Sequence, residues 1–533
     1  MKLRRLILLA ALAVLASCSR KEVVPDASLR NIVPAVFDVE IPEGGFAEIP
    51  FRVIDPAFQF SYIVTSKGCQ VKLLLPGGAA PEEVTLKSVR ANDEMGSYVA
   101  VIEDNALGKE YDFTASIVIS ESQGSDSFVR SAGIRIHSEP IPEGTVRTGL
   151  PIVFVDTDGG KAITSKTEWV PASVWIKGVQ GIPGLEQVRC AIRGRGNTTW
   201  TWPKKPYVIK MDERQSVFGL PDQRRWVLLA NFMDRTLMRN LVSMKVASFM
   251  TNLDWTPHCQ SVELVLNGTH IGNYLLIEQV RVDKNRVAIT EMTDKDNTGD
   301  AVTGGYLLEL DFHYDNDFQW KDHNIPFAVK YPEPEHLTSQ QKTYITNYIA
   351  EVSNVIYGSN FKDPVNGYAK YLDVDSFVDY WLVYEIMCNH ELGNPGSVYF
   401  HKDRGGKLVA GPCWDFDWGV LSFYTSGGDT RLVNRYAIWY SRLFEDPAFK
   451  SKVKARFNEL LSQLETIPSW MDQYRDMLTE SAELNFQMWD PAGDATQNGG
   501  KIINGDENLS FSAAVDRLKA NFTKHLSVIQ SKL

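Results

Sequence analysis

The sequence is poor in cysteine, in positive charge and in long apolar runs. Only six of its 533 residues are cysteines, none in a C-x-x-C pair, so neither a dense disulfide framework nor a structural zinc site is expected. The formal charge of −11 and the pI near 5.5 exclude a broad basic field, which argues against nucleic acid as a partner. Beyond the N-terminus no stretch is long and apolar enough to predict a transmembrane helix.

The N-terminus has the order of a secretory signal. Lys2 and two arginines precede the apolar run Leu6–Ala16, which is too short to span a bilayer. The next residues complete Leu15-Ala16-Ser17-Cys18, a lipobox pattern in which the cysteine thiol is lipidated before cleavage. We therefore predict a lipoprotein signal peptide over 1–17 and a membrane anchor on Cys18.

The segment 18–31 is polar, contains Pro25 and has no periodicity, so it is predicted to be a tether. Ser19 follows the lipidated cysteine where an aspartate would retain a lipoprotein at the inner membrane. The expected location is the cell envelope, with the outer membrane favoured.

Short alternating runs fill residues 32–138 and are separated by Gly, Pro, Asp and Asn. Runs at this spacing, without a helical pattern between them, predict an immunoglobulin-like β-sandwich. No chemical constellation stands out there, which favours a spacer or adhesion module. The runs are Ala47–Val53, Phe58–Val64, Val71–Leu75, Tyr98–Ile102, Phe113–Ile119 and Gly133–His137.

A linker over 139–144 precedes a second unit, predicted over 150–533. Its first part is predicted to form strands and one helix, which Asp234 is placed to cap. Asn267-Gly268 lies between two apolar runs and predicts a tight hairpin. The predicted strands are Leu150–Val155, Val188–Arg193, Tyr207–Lys210, Trp226–Ala230, Val262–Leu266 and Asn273–Ile277.

After the strand that begins at Tyr306 the pattern becomes helical. Thr338 and Gln341 predict a capping box before a helix to about Tyr357. Further helices are expected at 375–388, 447–465, 471–486 and 512–532, with a surface loop over 489–510. The fold class is thus α+β, with a β-rich lobe, a helical lobe and a ligand cleft between them.

Residues 389–419 form the stretch that is most informative about chemistry. Val398–His401 and Lys407–Ala410 predict an antiparallel hairpin, which brings the segments on either side of it together. Oxygen ligands at its open end suit Mg²⁺ or Mn²⁺, although aspartates beside tryptophans also commonly cap turns. The residues brought together are Glu391, Asn394, Ser397, Asp415 and Asp417.

Upstream residues offer contacts for phosphate. Arg193 and Arg195 lie in a glycine-bearing turn whose N–H groups and guanidiniums suit an anion, although a lone G-x-G is weak evidence. Lys205 and Lys210 border a strand, as the phosphate-holding lysine does in protein kinases, although both also suit a strand surface.

Together these motifs resemble the CotH family of atypical secreted protein kinases, from about Leu150 to the C-terminus. The motifs, in chain order, are R-G-R-G-N-T-T-W-x-W-P-K-K-P-Y-V-I-K, W-V-L-L-A-N-F-M-D-R-T-L-M-R-N, V-E-L-V-L-N-G-x-x-x-G-N-Y-L-L-I-E-Q-V, G-G-Y-L-L-E-L-D and W-D-F-D-W-G.

The resemblance implies a kinase-like two-lobed fold that transfers phosphate from ATP to hydroxyl groups of extracytoplasmic proteins. In that reading Lys205 or Lys210 faces the nucleotide phosphates, and Glu278 is a hinge residue or part of the lobe packing. Asp415 holds the metal, Asp417 is a second ligand or a structural partner, and Asn394 or Ser397 supplies a further contact.

The catalytic loop departs from the family pattern N-x-D-x-x-x-x-N. This chain has Glu391 in place of the aspartate, and a displacement of about 1 Å can lower a rate on the order of a hundredfold. The alternative is a non-catalytic pseudokinase that acts as a surface adhesin or assembly scaffold. A glycoside hydrolase is a distant third reading, since nothing fixes two carboxylates across a sugar site.

Overall fold

The computed structural model describes residues 31–36, 38–40, 46–54, 69–75, 82–84, 86, 88–91, 97–103, 112–123, 126–137, 148–179, 182–422, 430–490, 504–506 and 508–533. The chain divides into two compact units, Met1–Glu143 with Val179–Gly181, and Gly144–Gly178 with Ile182–Leu533. The predicted signal peptide, Cys18, the tether, the linker and the strand Phe58–Val64 lie outside the described residues.

The first unit consists of strands in its described part. Its sheets have the orders β1-β3-β7-β6 and β2-β9-β8-β4-β5, with β2 and β9 parallel. Phe51 and Tyr98 are cross-strand partners whose rings stack 5.8 Å apart in the first sheet. The strands are Asn31–Pro34 (β1), Asp38–Glu40 (β2), Phe46–Ile54 (β3), Cys69–Leu75 (β4), Glu82–Val84 (β5), Ser88–Ala91 (β6), Ser97–Glu103 (β7), Asp112–Gln123 (β8) and Asp126–His137 (β9).

The second unit begins with a closed barrel in the order β10-β11-β12-β13-β14-β16-β15. Cross-strand partners such as Ile192, Ile209 and Trp226 are buried in one apolar cluster, as expected where strands enclose a core. The strands are Ile152–Thr157 (β10), Val170–Lys177 (β11), Leu185–Gly194 (β12), Tyr207–Gln215 (β13), Gln223–Leu229 (β14), Cys259–Leu266 (β15) and Thr269–Glu278 (β16).

A five-stranded sheet, in the order β18-β19-β17-β20-β21, and a set of helices complete this unit. The sheet strands are Tyr306–Leu310 (β17), Gln319–Asp322 (β18), Ile325–Tyr331 (β19), Val398–Lys402 (β20) and Leu408–Ala410 (β21). The helices are Arg239–Ala247 (α1), Ser339–Tyr357 (α2), Val374–Ile386 (α3), Tyr440–Leu443 (α4), Pro447–Leu464 (α5), Ile467–Met488 (α6) and Phe511–Lys532 (α7).

Local sequence signals begin several elements. Thr338 and Gln341 form the predicted capping box of α2, and Asp373 caps α3 by accepting from the Ser376 N–H. In the β15–β16 hairpin, Leu266 pairs with Thr269, and the two loop residues Asn267 and Gly268 both have positive φ. The α+β class, the capping box of α2 and the hairpin at Asn267-Gly268 are confirmed as predicted.

Two predictions of secondary structure are wrong. Asp234 is not the N-cap residue of α1, a position that Met238 occupies. The chain first makes a turn in which Leu237 has positive φ, and the helix begins only at Arg239. The carboxylate of Asp234 accepts from the Arg239 N–H instead, at 2.9 Å. The segment after β17 is not helical at once, because β18 and β19 pair with each other before α2 begins.

Buried polar contacts join distant parts of the second unit. Arg239 is fully buried and ion-paired with Asp234 and with Asp506, and Asp506 also pairs with Arg517 of α7. Buried charges of this kind are stable only when paired, since desolvation disfavours an isolated one. The start of α1 is thereby tied to residues near the C-terminus.

Lys204 makes a second long-range connection. Its ammonium is buried and donates to the backbone oxygen of Asn273 and to Asn485 Oδ1 of α6. Burial lowers the pKa of Lys204 to about 7, despite the raising effect of Glu263. None of the helices in the described part of the chain is both long and apolar enough to cross a membrane.

Candidate active site

A cavity of about 820 Å³ lies between the barrel and the five-stranded sheet, within the second unit. This volume is in the range of small-molecule sites. Its wall includes the glycine-bearing turn at Arg195, the segment after β16, parts of β17 and β19, and the loops on both sides of the β20–β21 hairpin. The predicted site residues on this wall are Arg195, Glu391, Asn394, Ser397, Asp415 and Asp417.

Glu391 is positioned by the end of α3. Cys388 leaves the helix with positive φ, and Asn389 Oδ1 accepts from the Glu391 N–H at 2.8 Å. Asn389 is itself fixed, since its backbone oxygen accepts from Asn434 Nδ2 at 2.9 Å. The Oε2 atom of Glu391 is buried and has no hydrogen-bond partner within the described residues. A buried carboxylate oxygen without a donor is an acceptor available to a ligand or a cation.

The β20–β21 hairpin brings Ser397 and Asp415 together, as predicted. Phe400 pairs with Ala410, and Ser397 Oγ lies 3.4 Å from Asp415 Oδ2. Both Ser397 and Asp415 have positive φ, an uncommon conformation for residues other than glycine. Strained backbone of this kind is concentrated at functional sites, where the surrounding structure maintains it.

The neighbours of the Trp414–Gly419 segment explain how it is held. The N–H of Phe416 donates to Asn240 Oδ1 of α1 at 2.8 Å. Asn504 makes two hydrogen bonds to the end of this segment. Its Nδ2 donates to the backbone oxygen of Asp417 at 3.0 Å, and its Oδ1 accepts from the Gly419 N–H at 2.9 Å. The backbone around the two aspartates is therefore fixed from two separate regions of the chain.

The carboxyls of this cluster repel one another. Burial, and then Asp415 and Asp417, raise the pKa of Glu391 well above its usual value. Burial, and then Asp415, raise the pKa of Asp417, and burial also raises that of Asp415, against a lowering by Arg195. A cation placed among these groups would favour their ionised forms.

The metal prediction is compatible with this donor set but is not established by it. No three His, Cys, Asp or Glu side chains in the described part of the chain are positioned to hold a metal ion by themselves. Asn394 is exposed on the cavity rim, whereas Ser397 contacts Asp415 directly. Two carboxylates with a hydroxyl form an incomplete set, which suits Mg²⁺ because this ion commonly keeps waters and phosphate oxygens as ligands.

Three cations line the cavity, and only Arg195 was predicted from the sequence as a site residue. Arg195 lies over the Trp414 ring at 5.6 Å and lowers the pKa of Asp415. Lys330 of β19 pairs with Glu309 at 2.9 Å, and Arg281 pairs with Glu333 at 3.0 Å. Glu309 and Asp311 belong to the motif G-G-Y-L-L-E-L-D, which marked them without assigning a role, whereas nothing in the local sequence marked Lys330.

Other predicted site residues do not line this cavity. Lys205 donates to the Trp200 backbone oxygen at 2.8 Å, and Arg193 lies over the Trp169 ring at 4.8 Å. Lys210 lines a second cavity on the barrel. Glu278 pairs with His258 at 2.8 Å and with Arg286 at 3.3 Å. It does not line the cavity, whereas the next residue, Gln279, does.

The glycines of the Arg193–Asn197 turn have a steric explanation. A Cβ on Gly194 would lie 2.2 Å from the Trp200 ring, and one on Gly196 would lie 2.0 Å from Thr199 Oγ1. Gly196 also has a φ of +87°, which glycine adopts without strain. Packing therefore accounts for both glycines, and phosphate binding by this turn stays a prediction.

Comparison with known protein families identifies a match that covers most of the second unit. The family model described as CotH kinase protein matches residues 192–529, more than half of the chain. No curated protein matches. The matched range includes Arg195, Lys330, Glu391 and both aspartates of the cavity wall.

Proposed function

The chain belongs to the CotH kinase family, and on this basis we propose that it is an extracytoplasmic, membrane-tethered protein kinase. It would transfer a phosphoryl group from ATP to hydroxyl groups of a protein substrate, with Mg²⁺ or Mn²⁺. The observation that carries the proposal is the convergence of Glu391, Asp415 and Asp417 on one cavity that also holds Lys330 and Arg195.

The described residues suggest a division of roles. Asp415 and Asp417, with Ser397, would hold the divalent ion, which neutralises phosphate charge when bound. Lys330 and Arg195 are the cations placed to contact phosphate oxygens, in preference to Lys205 and Lys210. Glu391 would accept the proton of the substrate hydroxyl, for which its raised pKa and its unpaired oxygen suit it.

The architecture supports a two-lobed organisation. The barrel contributes Arg195 and the segment after β16, while the five-stranded sheet and the end of α3 contribute the carboxylates. The two sheets of the first unit support an immunoglobulin-like module placed before the kinase-like unit.

The test is a pair of measurements on purified protein, with Asp415→Ala as the variant and Asp294→Ala as a control that removes an exposed aspartate elsewhere. ATP with Mg²⁺ or Mn²⁺ should raise the melting temperature of the wild type and of Asp294→Ala. Labelled phosphate should pass from ATP to an acceptor protein with the same two proteins. Asp415→Ala should lose both the stabilisation and the transfer. Absence of stabilisation and of transfer in the wild type would refute the proposal.

The second candidate is a pseudokinase that serves as a scaffold or adhesin. The observation favouring it is Glu391, which stands where active relatives are expected to have aspartate. ATP-dependent stabilisation without transfer to any protein would select this candidate.

A further inference from the structure

A second cavity, of about 230 Å³, lies on the barrel beside the first. Arg281 and Val282 line both cavities, so the second continues the wall of the first. Its charged lining is almost entirely basic, with one acidic residue, Asp283. The basic residues are Lys210, Arg214, Arg224, Arg225, Arg281 and Arg286.

The ion pairs of this cavity leave an excess of positive charge. Arg214 pairs with Asp283 at 2.7 Å, Arg286 with Glu278 at 3.3 Å, and Arg281 with Glu333 at 3.0 Å. Lys210, Arg224 and Arg225 have no salt-bridge partner among the residues that the structure describes. A chain with a formal charge of −11 thus concentrates uncompensated cations at one place beside its cleft.

The strand register explains this concentration. Lys210 of β13 is the direct cross-strand partner of Arg225 of β14, so both side chains are on the same face of the barrel wall. Arg225 lies 5.3 Å from the Trp169 ring, which Arg193 also contacts. Burial, and then Arg281, Arg193 and Arg224, lower the pKa of Arg225 to about 10. Like charges held this close favour an anion between them.

The two cavities differ in the sign of the charge on their walls. Carboxylates outnumber cations on the wall of the first cavity, which repels an acidic ligand that brings no metal ion. The second attracts such a ligand, and the shared residue Arg281 allows one chain segment to reach both.

We propose that this basic cavity binds an acidic segment of the protein substrate, through carboxylate or phosphoryl groups that flank the acceptor hydroxyl. The substrate relationship rests on the proposed kinase function. The binding itself requires neither ATP nor a metal ion, so it can be measured separately.

The experiment measures the affinity of the purified chain for three labelled peptides by fluorescence anisotropy. The peptides share one serine-containing sequence, flanked by glutamates, by glutamines or by phosphoserines. The glutamate and phosphoserine peptides should bind at least tenfold more tightly than the glutamine peptide, and their affinities should fall steeply with salt. Equal binding of all three peptides would overturn the proposal, as would binding of inorganic phosphate with no preference for an acidic peptide.

Variants locate the binding. Arg224→Gln/Arg225→Gln should lose most of the preference for acidic peptides, and Lys210→Gln, which changes a single side chain, should lose part of it. Lys450→Gln/Lys454→Gln on the exposed side of α5 removes the same charge elsewhere and should retain the preference. Circular dichroism and melting temperature check that each variant is folded. An unchanged preference in both basic-cavity variants would overturn the assignment.

The kinase proposal and this inference fail in different ways. Asp415→Ala should still bind acidic peptides, because Asp415 lies only in the first cavity. Peptide binding without phosphate transfer would refute the kinase and retain the anion site. If phosphate is transferred but the rate does not depend on flanking acids in the wild type or in the variants, the kinase proposal is retained and the anion site is refuted.

Discussion

Glu391 has a side-chain environment that differs strongly from water. One of its oxygens is buried without a partner among the described residues, and burial, followed by the neighbouring aspartates, raises its pKa. A raised pKa makes the ionised carboxylate a stronger acceptor for the proton of a substrate hydroxyl, and a cation bound nearby would favour that ionised form. The extra methylene relative to aspartate therefore leaves the chemistry of the group intact and alters its reach.

Glu391→Gln should lower phosphate transfer by roughly 10²–10⁴-fold, the usual contribution of general acid–base catalysis. Stabilisation by ATP should persist, because Glu391 acts on the acceptor. Glu465→Gln, an exposed residue at the end of α5, is the control and should transfer normally. Full transfer by Glu391→Gln would remove this residue from the mechanism.

Lys330→Gln should raise the KM for ATP by about tenfold, equivalent to ~1.4 kcal/mol, because it removes a cation from the cavity wall. Lys205→Gln should leave that KM within about twofold, since its ammonium donates to the Trp200 backbone. The measurement is transfer rate against ATP concentration. The opposite ranking of the two variants would restore the lysine assignment made from the sequence.

Which lysine faces the cavity could not be predicted from the sequence. The motif predicted the strand that contains Lys210, but not which face of the barrel its side chain takes. Glu391, Ser397 and Asp415 were placed together correctly because a short hairpin joins them, and such contacts follow from local pairing. Lys330 joins the site through sheet pairing between β17 and β19, for which no local pattern exists.

At the scale of elements, α7 is held against α3 by a buried histidine. His525 Nε2 lies 3.1 Å from Glu385 Oε1, and Glu385 also accepts from the Val433 and Asn434 N–H groups. Burial alone would lower the pKa of His525, but hydrogen bonds with Cys388 and Glu385 raise it to about 10. The charged histidine therefore stabilises the contact between the two helices.

His525→Gln should be less stable than the wild type by about 3 kcal/mol at pH 6, the order expected when one partner of a buried ion pair is removed. Because the folded-state pKa exceeds the unfolded value near 6.5, this contribution is complete below pH 6.5 and is lost as the pH rises towards 10. Urea unfolding at pH 6, 8 and 9.5 measures the difference. His336→Gln, at an exposed position, should show no such trend, and a constant difference for His525→Gln would contradict the assigned charge.

Elements with strong local signals were predicted to within a few residues, as the bounds of α2, α5 and α7 show. The closure of the barrel was not predictable in the same way. It depends on parallel pairing of β10 with β15, in which Ile152 is the partner of Glu263 more than a hundred residues later. Such pairing is selected by the whole fold and leaves no periodic trace in either strand.

At the scale of the whole molecule, the proposed lipid anchor and the second unit should be separable. The contacts divide the chain at Glu143 and Gly144, and the cavity lies entirely within the second unit. Cys18→Ser should move the protein from the membrane fraction to the soluble fraction, because the lipid is the proposed attachment. The melting response to ATP should be unchanged. Membrane retention of Cys18→Ser, measured by fractionation and blotting, would contradict the lipoprotein prediction.

The ion pair between Arg239 and Asp506 makes the candidate site depend on residues far along the chain from it. Asn504 holds the Asp417 segment, and Asp506 neutralises the buried arginine at the start of α1. Both residues follow α6 in the chain, more than eighty residues after Asp417. A chain cut before Asn504 therefore lacks the side chain that holds the Asp417 segment and one of the two carboxylates that neutralise Arg239. Proteolysis that removes the chain from Asn504 onwards would thus disable the candidate site while leaving every residue of the cavity wall in place.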